Sequence, residues 1–203
     1  MKDRLIALGY AAGWRLVRAL PLRAARALST AAADRAYRAD GPGTQRLRRN
    51  LRRVVGPDVP EPDLDALVRA GLRSYARYWM EAFRLPSQSR AQFLRDFRVV
   101  QEEELHKVMA DGKGVILALP HTGNWDAAAA WLVSQGHKLV VVAERLKPES
   151  VFEQFVAYRE KLGMEVLPLT GGRRPPLDVL AERLQQGYAV ALLGDRDLSR
   201  SGV

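Results

Sequence analysis

From Phe97 onward the chain alternates four short apolar runs, residues 115–119, 139–143, 165–169 and 188–193, with stretches of helical periodicity. Strands of this length joined by helix-sized connections pair in parallel, because only a crossover returns the chain to the same end of a sheet. The expected fold class is therefore α/β, a mostly parallel sheet flanked by helices. Helices are expected between the runs, among them residues 148–162 and a segment begun by Pro175-Pro176. In such sheets ligands collect beyond the carboxyl ends of the strands. Those ends are where functional side chains are to be sought.

Upstream the pattern is helical. The first twenty residues, residues 22–38, residues 46–55 and a longer stretch from Asp63 to near Pro86 all read as helices, with Gly41-Pro42-Gly43 as punctuation. Four or so helices thus precede the first strand. The aromatic stripe Tyr75, Tyr78, Trp79 and Phe83 reads as core, and Arg48, Arg49, Arg52 and Arg53 as a solvated face. No linker separates the halves. Residues 1–96 are read as a helical, basic, membrane-facing region of the same domain, and residues 97–203 as its α/β core.

Charge narrows the class of partner. Residues 1–60 carry 13 Lys/Arg against 4 Asp/Glu, whereas residues 61–203 carry 19 against 19. A basic excess confined to one segment suits nucleic acid or an anionic membrane surface. In the first twenty residues Arg4, Arg15 and Arg18 share one arc, opposite Leu5, Ile6, Leu16, Val17 and Leu20, with Tyr10 and Trp14 near the boundary. That pattern is too interrupted to span a bilayer and fits a helix lying in the interface. Packing of the same apolar arc on the domain is the equal alternative. A basic RNA-binding protein is the rival of another class; it lacks interleaved surface aromatics and a known module, so no nucleic acid is expected. With no cysteine and no His-Glu-x-x-His spacing among three histidines, neither a disulfide framework nor a metal site is expected.

The first run leads into Pro120-His121-Thr122-Gly123-Asn124-Trp125-Asp126 and then an alanine-rich helix. A strand end, a histidine and a helix N-terminus meet within ten residues. The helix start offers partial positive charge to an anion or a developing oxyanion. Asp126, in the first turn, is expected to turn back to one imidazole nitrogen of His121, leaving the other as a base. Glu144 and the pair Asp195 and Arg196 follow the ends of later runs and would share that rim; a solvated strand end is the plainer reading of Glu144. Arg159 falls on the apolar arc of its helix and needs an anionic partner or a route to solvent, so a structural salt bridge and a substrate contact both stay open. Thr170-Gly171-Gly172-Arg173-Arg174 lacks a phosphate-loop spacing and reads as a surface turn; His106 and His137 look incidental.

His121-Thr-Gly-Asn-Trp-Asp126, with Gly194-Asp-Arg-Asp-Leu198 near the end, resembles the His-x-x-x-x-Asp acyltransferases of glycerolipids and lysophospholipids, in the bacterial branch that includes lipid A acyltransferases. The resemblance runs from the N-terminus to the last residue, and its wording is nearest to enzymes acting on phosphatidylinositol mannosides. It implies transfer of a fatty acyl chain from acyl-CoA to a mannose hydroxyl, with His121 as general base oriented by Asp126. It also implies substrate-binding roles for Glu144, Arg159, Asp195 and Arg196, with no cofactor beyond the acyl-CoA donor. The expected place of work is the cytoplasmic face of the cell membrane, with peripheral or monotopic attachment and a monomer as the simplest state. A lipid A or other lysophospholipid acceptor is the nearest alternative, and a non-catalytic lipid-binding relative remains another. Family members usually continue past a pair like Gly202-Val203. The chain is accordingly expected to be a truncated form, with apolar surface open near residues 189–193.

Overall fold

A computed structural model describes residues 2–195. The chain forms two compact units, Gly13–Arg84 and the remainder, Met1–Ala12 with Leu85–Val203. The first helix, α1 (Lys2–Ala19), contributes residues to both.

In the Gly13–Arg84 unit, α2 (Leu22–Ala39) and α3 (Pro42–Val55) both pack on α4 (Glu61–Arg84). Buried Ala25 and Ala33 keep α2 thin where it meets α4, whose Leu64, Val68 and Met80 fill the interior. The turn between α2 and α3 is set by Asp40 in the left-handed region, and Pro42 then opens α3 four residues earlier than the sequence pattern implied. Proline suits that first position, where its missing N–H costs no helical bond. Arg48 and Arg52 are not simply solvated. Both pair with Glu61 at the start of α4, and Arg48 also with Asp65. The aromatic stripe of α4 is a ladder at the edge of the core: Tyr75, 61% exposed, stands on Trp79, which leans on Phe83, which stacks on Trp14 of α1 at 5.0 Å.

The second unit holds the sheet. Its strands are β1 (Val115–Leu119), β2 (Leu139–Ala143), β3 (Met164–Pro168) and β4 (Ala189–Leu193), all parallel and in the spatial order β1-β4-β2-β3. The first two strands match the apolar runs to the residue; β3 is shifted by one residue at both ends, and β4 begins one residue later than its run. Five further helices among the described residues belong here: α5 (Arg90–Asp96), α6 (Glu102–Ala110), α7 (Trp125–Ser134), α8 (Glu149–Lys161) and α9 (Pro176–Gln185). The sequence pattern did not single out α5 and α6, so six helices precede β1 rather than four. The signal for α5 was present as a capping box, in which Ser89 and Gln92 satisfy each other's backbone N–H groups.

Strand order explains the layers. The chain moves from β1 to β2 to β3 in one direction, and then returns from β3 to place β4 between β1 and β2. Right-handed crossovers put helices of opposite travel on opposite faces. One face accordingly buries Trp131 and Leu132 of α7 and Phe152 of α8 over Leu139, Met164 and Ala189. The other buries Leu180 of α9 over Val140 and Val190. On this second face Ile116 of β1 and Leu192 of β4 stay open, 56% and 37% exposed, while Ala189 and Val190 are sealed. The apolar opening expected around residues 189–193 is therefore confined to the carboxyl half of β4 and its neighbour. Gly114, with φ +75°, leads into β1 where a Cβ would strike the backbone carbonyls of Leu184 and Tyr188. A side chain there would push β1 away from β4.

Candidate active site

β1 and β4 are neighbours in the sheet, and ligands of such parallel sheets collect beyond the carboxyl ends of the strands. Their register pairs Leu119 with Leu193, and the Gly194 N–H donates to the Leu119 carbonyl at 3.2 Å. The next residues on each side are then neighbours. His121 and Asp195, 74 positions apart in sequence, meet here twice. The His121 backbone N–H donates to Asp195 Oδ2 at 2.9 Å, and His121 Nδ1 lies 2.7 Å from Asp195 Oδ1. An ionised carboxylate only accepts, so this contact puts the proton of a neutral ring on Nδ1 and leaves the Nε2 lone pair as the basic position. The backbone bond, and after it the ring, hold the Asp195 carboxyl below the usual carboxylate range.

Trp125 supports the other side of the ring, edge-on to His121 with centroids 5.4 Å apart. It is the first residue of α7, and Asn124 caps that helix by accepting from the Ala127 N–H at 3.0 Å. The cap fixes where the helix begins and so where Trp125 stands. Trp125 is not among the candidates expected from sequence, although its place between His121 and Asp126 in the motif is the available signal.

Asp126 does not take the place expected of it. The spacing of the motif predicts a carboxylate turned back to the imidazole; the structure gives that position to Asp195. Asp126 is buried, 3% exposed, and accepts from Arg159 Nε of α8 at 3.0 Å. The second residue of α7 points inward toward α8, and a carboxylate removed from water there requires a charged partner. The same pair answers the question left by Arg159, whose anionic partner is Asp126. The pair bolts the first turn of α7 to α8.

Glu144 is exposed just after β2, and among the described residues it forms no ion pair. Its neighbour Arg145 is the working residue of that loop. It donates to Glu149 at 2.7 and 2.9 Å and to the carbonyls of Thr170 and Gly171 at 3.2 Å, strapping the loop after β2 to the loop after β3. A Cβ on Gly171, at φ +73°, would run into Arg145. That glycine therefore serves the strap. Arg196 lies outside the described residues. His106 and His137 are less incidental than expected: His106 Nδ1 and His137 Nε2 are 3.4 Å apart, and Glu102 accepts within 3.0 Å of His106 and 2.8 Å of Gln135. Among the described residues no group of three acidic or histidine side chains could hold a metal ion.

No helix of the described residues is long and apolar enough to cross a membrane. Comparison with known proteins gives the family. The chain is 54% identical over 199 residues to a phosphatidylinositol mannoside acyltransferase of Mycolicibacterium smegmatis, covering 97% of this chain and 64% of the relative. It is 50% identical over 198 residues to proteins of the same name from Mycobacterium tuberculosis, covering 96% of this chain and 61% of each relative. The chain thus spans less than two thirds of the length of these relatives. A family model described as bacterial lipid A biosynthesis acyltransferase matches residues 2–203. With a parallel sheet, a histidine just beyond the carboxyl end of its first strand and a match along almost its whole length, this chain belongs to the bacterial lipid A biosynthesis acyltransferase family of acyltransferases.

Proposed function

We propose that the chain carries the reactive centre for transfer of a fatty acyl group from acyl-CoA to a mannose hydroxyl of a phosphatidylinositol mannoside. The observation that carries this reading is the held ring of His121 at the end of β1, with Nδ1 engaged by Asp195. Nε2 takes the proton of the attacking hydroxyl, the oxygen closes on the thioester carbonyl carbon, and the C–S bond then breaks to release CoA thiol. Negative charge that develops on the carbonyl oxygen is met by the positive end of α7, which begins at Trp125. Asp195 fixes the tautomer. Asp126 acts as a positioning residue through Arg159, because its carboxylate accepts from that guanidinium while Asp195 holds the ring. The named relatives support a mannosylated phosphatidylinositol as acceptor; the family description favours a lipid A acceptor as the second reading.

Incubation with acyl-CoA and a panel of glycolipids, followed by mass spectrometry, tests the assignment. The expected product is a phosphatidylinositol mannoside heavier by one acyl group. An acylated lipid A precursor in its place would turn the reading to the second acceptor, and no acylated product with His121 intact would reject the chemistry.

A further inference from the structure

The Gly13–Arg84 unit contains a polar cavity of its own. A groove of about 850 Å³ runs between α2 and α4, a volume in the range of small-ligand sites. Four arginines line it: Arg26 from α2, and Arg69, Arg73 and Arg77 from α4. The three on α4 are spaced by four residues and lie along one face, where like charges repel. One carboxylate offsets part of that cost. Asp34 of α2 accepts from Nε and Nη2 of Arg69, both at 3.0 Å, and from Nε and Nη2 of Arg73, both at 2.7 Å. The Arg73 bonds, then those from Arg69, hold the Asp34 carboxyl far below the usual carboxylate range.

This clamp does two things. It fixes two guanidinium planes in advance, so little rotamer freedom remains to be lost on binding. It also leaves donors over: each guanidinium has five N–H groups and gives two to Asp34. Arg69 and Arg73 remain 49% and 42% exposed, open to a ligand. Arg77 approaches Glu81 only at 3.9 Å, so two acids face four cations and the groove keeps a net charge of two positive. Hydroxyl donors from Thr30 and Ser74 complete the lining. Every cation of this unit is an arginine, the side chain whose planar fork matches phosphate oxygens.

We propose that the α2–α4 groove is a phosphate-binding site, taking the phosphate group of an anionic phospholipid headgroup or of a soluble phosphate. Arg69 and Arg73 present the held donors, Arg26 and Arg77 add charge from the flanks, and the hydroxyls take remaining oxygens.

The test is saturation binding of inorganic phosphate by titration calorimetry, beside co-sedimentation with phosphatidylcholine vesicles with and without phosphatidylinositol. Four proteins are compared: the unmodified chain, Arg73→Lys, the double variant Arg26→Gln/Arg77→Gln and the control Arg49→Gln. The double variant leaves the Asp34 clamp untouched, so it reports on the groove even if Arg73→Lys folds poorly. Arg49 is exposed on α3 outside the groove, and its variant accounts for loss of net charge alone. Loss of one charged hydrogen bond weakens binding about tenfold. Groove variants weakened by about that factor toward phosphatidylinositol vesicles, with the control weakened less, support a lipid headgroup. Saturable phosphate binding lost in the groove variants, with vesicle binding unchanged, supports a soluble phosphate. Absence of saturable phosphate binding, with all four proteins equal on vesicles, overturns the site.

Discussion

The basic nitrogen of His121 is set by a residue 74 positions away, because Asp195 takes Nδ1 and the backbone N–H together. His121→Ala is expected to abolish acyl transfer with little change in melting, since the ring is a surface group at a strand end. Asp195→Asn and Asp126→Asn separate orientation from anchoring. Asparagine at 195 offers an amide that can turn a donor toward the ring, favour the other tautomer and lower kcat by more than tenfold with the fold kept. Asparagine at 126 leaves the Arg159 charge half-buried and is expected to lower stability along with activity. If Asp126→Asn alone shifts the pH profile of kcat while melting unchanged, Asp126 is the orienting group after all. Arg159→Met carries the complementary prediction. It removes the charged partner that α8 gives the buried Asp126 carboxylate, at a cost of roughly 3 kcal/mol, which at about 2–4 °C per kcal/mol for a chain of this size lowers Tm by several degrees. An unchanged Tm would show that the pair contributes nothing to the fold. His121 was legible in sequence because a strand end, a histidine and a helix cap are contiguous there. Asp195 was legible as a residue of the same rim but not as the partner of the ring, because that pairing follows from β4 lying beside β1, which periodicity does not encode.

Elements were legible where their own pattern sufficed. β1 and β2 are unbroken apolar runs ended by Pro120 and by Glu144, and their limits were read to the residue. α3 was read short because Gly41-Pro42-Gly43 looks like a break, whereas Pro42 is the first residue of the helix. α6 was missed because its apolar positions are few: only Met109 is buried, and three consecutive glutamates occupy its first turn. That helix holds a pH-dependent contact. His106 on α6 faces His137, in the turn before β2, and burial, followed by the His106 charge, pushes the His137 pKa below its ordinary 6.5. The unfolded chain therefore binds more protons between the depressed value and 6.5, so stability rises with pH through that window. The contribution is complete above 6.5 and is lost as pH falls through the lowered value. His137→Gln is expected to flatten this dependence below pH 6.5, read as the urea midpoint at each pH. Parallel curves for the two proteins would remove His137 as the cause.

At the scale of the whole molecule the informative quantity is the placement of charge. The chain carries a net charge of +9, and residues 61–203 are balanced at 19 cations against 19 acids, so the excess belongs entirely to residues 1–60. Some of that charge is answered locally, Arg48 and Arg52 by Glu61 and Asp65 at the start of α4. Much is not: Arg46, Arg49 and Arg53 are exposed on α3, and Leu16, Leu22 and Leu28 add apolar groups that are 44–53% exposed. Exposed cations and exposed leucines in one unit suit an anionic lipid surface better than either feature would alone, because the apolar groups hold what the charges bring near. Vesicles containing anionic lipid are therefore expected to bind the protein more tightly than neutral ones. Because exposed charges are screened beyond about 8 Å at physiological salt, raising the salt should weaken the anionic case and leave the neutral one little changed. Deleting residues 1–20 removes four of the thirteen cations together with Leu16, and should lower binding to both kinds of vesicle but most to the anionic kind. Equal sedimentation with neutral and anionic vesicles at every salt concentration would show that the exposed leucines act alone and that the charge asymmetry does not direct the protein to a membrane.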